Sequence, residues 1–320
     1  MKVLITGATG LVGRAIVAAL HERGLSVNYL TTSKNKLVKQ HNYTGYYWNP
    51  AEGIIDLEAF KGVTHIINLA GATIAKRWTA SYKETVLQSR LNSLRTLQKG
   101  LETIDADQIQ GLVAASAIGI YPNSLTNLYE ERHKSIDTSF LGEVVAAWEQ
   151  QIDALSSFNF ALAKVRIGLV LSSQEGALPK MAQPIKNYVG AAFGTGQQWQ
   201  SWIHIQDLAQ LFLFVLDNKL EGTFNGVAPN PVTNSKLTKE LAKVLQKPLW
   251  LPNIPQKVME LVLGEMAYLL FASQRVSSKR IEKKGFSFTY NNVCQALEQI
   301  YGGVGCEEST ETASYESRFS

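Results

Sequence analysis

Three glycines, each three residues from the next, punctuate the run Gly7-Ala8-Thr9-Gly10-Leu11-Val12-Gly13, which lies between a short apolar stretch and an amphipathic one. At a turn from strand to helix, such residues grip the pyrophosphate of a dinucleotide. Backbone N–H groups at the helix start point at the anion, and the missing side chains let it approach. A second feature follows the loop. Sites that select NAD usually place an Asp or Glu at the end of the second strand, roughly 20 residues on, to accept hydrogen bonds from the ribose 2′-hydroxyl. Here no acidic residue occurs between Glu22 and Glu52, and Thr31, Thr32, Ser33 and Lys34 occupy the strand end, with Lys36 nearby. Hydroxyls and a cation suit a 2′-phosphate, and Arg14 can add a charge-assisted contact from the helix start. The residues favour NADP(H) over NAD.

Positioning these groups takes a parallel sheet. Lys2 to Thr6 predicts a short buried strand, Leu11 to Arg23 a helix stopped by Gly24, and Val27 to Leu30 a second strand. Further strands are expected at Gly45 to Trp48, His65 to Leu69, Gly111 to Ala115 and Ala161 to Arg166, with helices near Trp78 to Leu101 and Phe140 to Leu155. This alternation implies an α/β fold, a Rossmann-type doubly wound parallel sheet covered on both faces, over residues 1–168. After Gly168 the rhythm fades into a long glycine-containing segment. A helix over Gln206 to Asp217, a strand over Phe224 to Ala228, and helices at Asn234 to Leu245 and around Lys257 to Phe271 then predict a smaller C-terminal substrate lobe, 169–301. The core sheet is expected to receive later segments from about 199–228. The stretch 302–320 has little to bury and is expected to be a disordered tail.

These pieces resemble the extended branch of the short-chain dehydrogenase/reductase superfamily. The signatures are Thr6 to Gly13, Asn68-Leu69-Ala70-Gly71, Ala115-Ser116-Ala117, and Trp202-Ile203-His204-Ile205-Gln206-Asp207-Leu208. More narrowly, the chain is similar to the atypical, epimerase-like group, marked by Arg77-Trp78-Thr79, Ser89-Arg90, Gly119-Ile120-Tyr121, Gly194-Thr195-Gly196, Ala228 to Asn234, Leu263-Gly264-Glu265 and Gln274-Arg275-Val276. The resemblance runs from Met1 to about Tyr301 and includes a group-specific C-terminal domain of unknown function over about 249–297. It implies that Leu69, Ala70 and Gly71 join the glycine loop in holding the cofactor. In the wider superfamily a Ser or Thr, a Tyr, and a Lys four residues after the Tyr move the substrate proton together. Here no tyrosine is followed by lysine at the fourth place, and the helix expected to carry the pair begins Phe140-Leu141-Gly142-Glu143-Val144.

The remaining proton-transfer candidates are Ser116, at a strand end where open α/β folds keep their ligands, and Tyr121, in the loop leaving that strand. Ser116 would bond a substrate oxygen or cap the loop backbone. Tyr121 would transfer a proton, given a nearby cation or the nicotinamide charge, or pack on the ligand as an aromatic lid. Arg90 is grouped with the cofactor contacts, a buried pair or a substrate clamp being its alternatives. Trp199, Trp202 and Arg77-Trp78 either line a pocket for an acidic substrate or serve packing, Glu143 offers a carboxylate base if desolvated, and His204 is read as structural.

Composition bounds the rest. A net charge of +4 with 18% charged residues argues for no nucleic-acid partner, and no apolar run reaches the roughly 20 residues of a membrane helix. Cys294 and Cys306 fit no metal spacing and suggest no disulfide framework, and the chain's start is too short for a signal core, which points to the cytoplasm. The expectation is an NADP(H)-dependent oxidoreductase or nucleotide-sugar-epimerase-like enzyme on a small substrate, without a metal. Its alternative is a cofactor-sensing or scaffold protein that has lost catalysis; some relatives of similar sequence are linked to cell division.

Overall fold

The computed structural model describes residues 1–302. β1 (Lys2–Thr6) is centred on the apolar run Val3-Leu4-Ile5, all fully buried, as a strand covered on both faces requires. It leads through the glycine loop into α1 (Leu11–Glu22), whose Ile16, Ala19 and Leu20 face the sheet. Gly24, at φ +68°, ends that helix: its N–H donates to His21 O while Leu25 N–H donates to Leu20 O. β2 (Ser26–Thr31) follows, then β3 (Lys39–Gln40), β4 (Tyr43–Asn49), β5 (Ile54–Ile55) and β6 (His65–Asn68). The long α2 (Ala80–Thr103) returns the chain to β7 (Gly111–Ala117), and β8 (Leu128–Tyr129) precedes α3 (Phe140–Asp153) and β9 (Ala161–Ile167).

The sheet order, with β13 (Gly222–Gly226) at one edge, is β13-β9-β7-β6-β1-β2-β4-β3 and reverses direction at β1. The chain winds outward through β2 and β4, then resumes on the other side of β1 with β6. Thr6 and Asn68 are register partners at the ends of these two strands, so the switch point of the doubly wound sheet lies beside the glycine loop. α2 and α3 pack together, and the right-handed rule for parallel crossovers assigns them to the face opposite α1.

Beyond Gly168 the structure holds more order than the sequence suggests. β10 (Leu169–Leu171) and α4 (Ala177–Lys186) occupy part of the stretch read as irregular. The prolines of α4 hid it: Pro179 falls in its first turn, where no backbone donor is needed, and only Pro184 lies deeper. β11 (Trp199–Gln200) and β12 (Trp202–His204) come next, then α5 (Ile205–Asp217), β13 (Gly222–Gly226), β14 (Val232–Thr233) and α6 (Asn234–Val244). Of the stretch 199–228, β13 joins the central sheet, whereas β12 pairs with β10 and β11 with β14. The helix expected around Lys257 to Phe271 is broken. α7 (Gln256–Leu263) ends at Gly264, at φ +60°, and a 3-10 turn separates it from α8 (Tyr268–Phe271). β15 (Arg275–Val276), α9 (Lys279–Glu282) and α10 (Val293–Tyr301) complete the elements.

Two main cores result. The larger fills the sheet and its flanking helices; the second joins α4, α6 and α10 around Trp202, Leu237, Leu241 and Leu297. Gly302, where the expected tail begins, is the left-handed C-cap of α10, and the rest of that tail lies outside the described residues. Cys294 is disulfide-bonded, which corrects the reading of no disulfide and removes the thiol argument for a reducing compartment. Among the described residues, no helix is long and apolar enough to cross a membrane.

Candidate functional site

The three loop glycines have different reasons to be glycine. Gly7 sits at φ +75°, and a Cβ there would lie 3.1 Å from the Leu69 carbonyl. At Gly13 a Cβ would stand 2.2 Å from Gly7 O, so this glycine lets α1 press against the loop. Gly10 differs. Its φ is −80°, it is exposed, and the nearest protein atom to an added Cβ is Gly7 O at 3.4 Å, an ordinary contact. The protein leaves space at Gly10 that a bound group can fill. α1 begins here with neither a side-chain cap nor an acidic residue in its first turn, so its leading N–H groups stay available to an anion. Ala8 is buried beneath the loop, while Thr9, Leu11 and Val12 complete its partly exposed rim.

Across the switch point, Thr6 Oγ1 donates to Asn68 Oδ1 at 2.6 Å and accepts from the N–H groups of Leu69 and Ala70, each at 3.1 Å. One buried hydroxyl thus fixes the Leu69-Ala70-Gly71 turn beside Gly7. Asn68 Nδ2 is buried with no partner. At the end of β2, Thr31 Oγ1 accepts from Ser33 N–H at 3.2 Å, Thr32 and Lys34 are exposed, and Lys34 stands over the Tyr47 ring. Tyr29 ties the following loop down by donating to Lys36 O and accepting from Val38 N–H. Arg14 donates to Thr9 O and pairs with Glu175 at 3.0 Å, both side chains remaining substantially exposed. These residues fit a dinucleotide with a 2′-phosphate: a glycine cradle, free helix-start donors, and hydroxyls with a lysine where an acid would stand.

Beyond the loops lies a cleft of about 210 Å³ at the C-terminal ends of β7 and β9, closed on other sides by α3, α8 and β11 with the following Ser201. Ser139 caps α3, and Gly142 lets that helix start close in, since a Cβ there would meet Asp137 O at 1.9 Å. Residues four apart on α3 share a face. From α3, Leu141 and Val145, four apart, line the cleft together with Val144 and Trp148, and Ala117 stands at the strand end, so none of these positions carries an acid–base side chain. Tyr268 OH donates to Asp137 Oδ2 at 2.9 Å and Lys83 pairs with Glu265, securing the segment that roofs the cleft.

Ser116 and Tyr121 are brought together, in a buried network that does not line the cleft. Ser116 Oγ donates to Glu149 Oε1 at 2.6 Å; Arg166 grips the same carboxylate through Nε and Nη2 at 2.7 and 2.8 Å. Arg166 Nη1 then donates to Tyr121 OH, which donates to Asn225 Oδ1 at 2.7 Å. Burial raises the Tyr121 pKa to about 12 even against the Arg166 charge. Burial also works to raise that of Glu149, but the bonds and charge of Arg166, with Ser116 and Lys164, outweigh it and hold the carboxyl below its ordinary range. Glu143 is exposed, Trp202 belongs to the second core, and His204 caps α5 by accepting from Gln206 N–H while bonding Gln299. Arg77 is exposed and Trp78 packs on Phe140; Trp199 and Arg90 line the cleft.

Residues 3–226 match the model of the NAD dependent epimerase/dehydratase family. The chain belongs to that family. Residues 254–300 match a domain of unknown function. An epimerase family protein of Staphylococcus epidermidis is 35% identical over 306 residues, 93% of this chain and 98% of that protein. Among solved structures, human epimerase family protein SDR39U1 with NADPH is similar at 27% identity and TM-score 0.82, covering 95% of this chain and all of that one. UDP-glucuronic acid 4-epimerase from Bacillus cereus, in complex with UDP-glucuronic acid and NAD, has TM-score 0.74 at 14% identity over 94% of this chain, a likeness of fold alone.

Within this family fold, sequence reasoning missed Glu149, Arg166 and Asn225, which complete the Ser116–Tyr121 network. Each is an unremarkable polar residue in its own element, and only the pairing of β9 with β7 and β13 brings them together. The one legible signal was charge: Arg166 and Glu149 sit in segments otherwise patterned as buried. A separate open depression of about 540 Å³, bordered by Glu130, Glu131 and Ser277 as well as Arg132 and the cations of the segment 279–284, shares no wall with the loop or cleft.

Proposed function

We propose that the chain binds NADP(H) and acts, as an oxidoreductase or in the manner of an epimerase, on a small substrate held in the cleft. The observation that carries this reading is the space kept open at Gly10 over an uncapped helix start, beside a β2 end without an acid. The NADPH of the human relative supports the same choice of cofactor. In this reading the glycine loop and first turn of α1 hold the pyrophosphate, Thr31, Thr32, Ser33 and Lys34 meet the 2′-phosphate, and Leu69 to Gly71 border the cofactor's path. A nicotinamide bound here supplies hydride transfer. The chain's own residues orient both partners and exclude water, with apolar Leu141 and Val145 in place of a proton relay. The test incubates the full chain with NADPH and a panel of carbonyl, alcohol and sugar-nucleotide compounds, followed by nicotinamide absorbance. Turnover of at least one compound is expected; tight binding without turnover of any would contradict catalysis.

The lost proton relay favours a second reading, a cofactor-sensing or scaffold protein. Under it, Ser116→Ala and Tyr121→Phe leave function in the cell intact while Gly10→Val abolishes it. Loss of function from the first two, in chains that still fold, would reject it.

A further inference from the structure

Exposed apolar side chains gather in one part of the C-terminal lobe. Tyr188, Val189, Trp250 and Leu251 are 49, 53, 69 and 38% exposed. Two separate loops supply them, and hydrogen bonds hold those loops together. Trp250 Nε1 donates to Tyr188 O at 2.9 Å, and Lys247 Nζ donates to Tyr188 OH at 2.7 Å while standing 4.2 Å from the centre of its ring. Backbone bonds from Ile254 N–H to Ala192 O and from Gly194 N–H to Ile254 O continue the pairing. The aromatic tip is therefore a fixed shape, and the indole N–H is satisfied although most of the ring stands in water.

Charge is distributed as unevenly. No Asp or Glu occurs between Glu175 and Asp207, nor between Glu240 and Glu260, and these are the two segments that meet here. Lys180 and Lys186 lie in the first, and Lys243, Lys247 and Lys257 in the second. Lys186 ends α4, two residues before Tyr188. Among the described residues none of these five lysines forms an ion pair. α7 also exposes apolar residues, Val258, Leu261 and Val262, but it carries Glu260 with Lys257 and so no net charge. Only the Tyr188–Trp250 tip joins exposed aromatic rings to two acid-free, lysine-bearing segments.

We propose that this tip docks the protein on an anionic lipid surface, with Trp250, Tyr188, Val189 and Leu251 entering the headgroup layer and the lysines answering the lipid charge. Trp and Tyr favour that layer because each joins an apolar body to a polar edge, and nearby lysines add electrostatic attraction to the burial of hydrocarbon. A second copy of the chain fits the tip poorly, since a two-fold interface would bring the same lysines of both copies together. An acidic protein would match the charge, but stable protein interfaces use roughly 20–30 residues a side, far more than this tip offers. None of these residues belongs to the glycine loop or lines the cleft.

The experiment sediments the full chain with vesicles of phosphatidylcholine alone and of two parts phosphatidylcholine to one part phosphatidylglycerol. The chain is expected to bind the mixed vesicles about tenfold more tightly than the neutral ones, and raised salt should release it. Trp250→Ser should weaken mixed-vesicle binding about fivefold. The pair Lys186→Gln with Lys243→Gln should weaken it too. A pair of equal charge change at the separate depression, Lys279→Gln with Lys283→Gln, should leave binding unaltered, which separates this tip from the attraction of any basic protein to an acidic surface. If Trp250→Ser melts early because its bond to Tyr188 is gone, Val189→Asp takes its place. No binding to mixed vesicles, equal losses from the two lysine pairs, or full binding by a folded Trp250→Ser or Val189→Asp chain would overturn the proposal. So would a dimer in sedimentation equilibrium that Trp250→Ser dissolves while vesicles are ignored, which would assign the tip to a second copy.

Discussion

The loop after β1 and the network at the end of β7 are built from similar polar atoms put to opposite uses. At the loop, polar groups are left open: the first N–H groups of α1 have no cap, and Asn68 Nδ2 has no partner. Around β7 the side chains satisfy one another, from Ser116 through Glu149 and Arg166 to Tyr121 and Asn225. Unsatisfied groups at a strand end await a ligand, whereas a closed buried network rigidifies its surroundings. The two hydroxyls expected to handle protons lie in the second kind of region.

The largest effect that would sharpen this contrast comes from Arg166→Met. It leaves Glu149 buried without its partner and should cost about 3–5 kcal/mol of stability, read by chemical denaturation. NADPH affinity, measured in the fraction that folds, should hold; if stability is unchanged, the network is not what braces β7 to β9. The loop variants come next and separate fold from binding. Gly10→Val should weaken NADPH roughly 100-fold, about 2.7 kcal/mol, while the melting temperature stays put. Gly13→Ala should instead lower stability by about 1–3 kcal/mol, because its new methyl meets the Gly7 carbonyl. Equal melting losses from both would break the distinction drawn between those glycines.

Acid gives a smaller signal. Glu149 is held below its ordinary 4.5 in the folded chain, so its contribution is complete above that pH and is lost as pH falls through the lower folded value. Thermal melts of the unaltered chain should therefore drop below pH 4.5 more steeply than those of Glu149→Gln. Parallel acid limbs would assign the drop to other carboxylates. Smallest is Tyr121→Phe, which removes the hydroxyl between Arg166 and Asn225 and should cost about 1–3 kcal/mol at most by denaturation, with cofactor affinity intact. A selective loss of turnover instead would return Tyr121 to the chemistry.

How far the sequence speaks differs between the same two regions. The loop, the acid-free end of β2 and the alternation of strands and helices are local patterns, and each strand expected between Lys2 and Arg166 is present to within a residue or two, whereas the two-residue β3 and β5 beside β4 were not expected. α4 was hidden by its prolines, and the break at Gly264 by apolar residues on both sides of it. The network could not be read because its members lie on β7, α3, β9 and β13, up to 109 positions apart between Ser116 and Asn225. The absence of a Tyr-x-x-x-Lys pair was visible in the sequence; that Leu141 and Val145 face the cleft was not, since this depends on the rotation of α3.

The claim on which the rest depends is that the loop holds a dinucleotide with a 2′-phosphate. Titrating the full chain with NADPH and NADH in parallel, following tryptophan fluorescence at fixed ionic strength, tests it most directly. The geometry predicts that NADPH binds at least tenfold more tightly and that Lys34→Ala narrows the gap. NADH binding as tightly as NADPH, or neither binding, would contradict it.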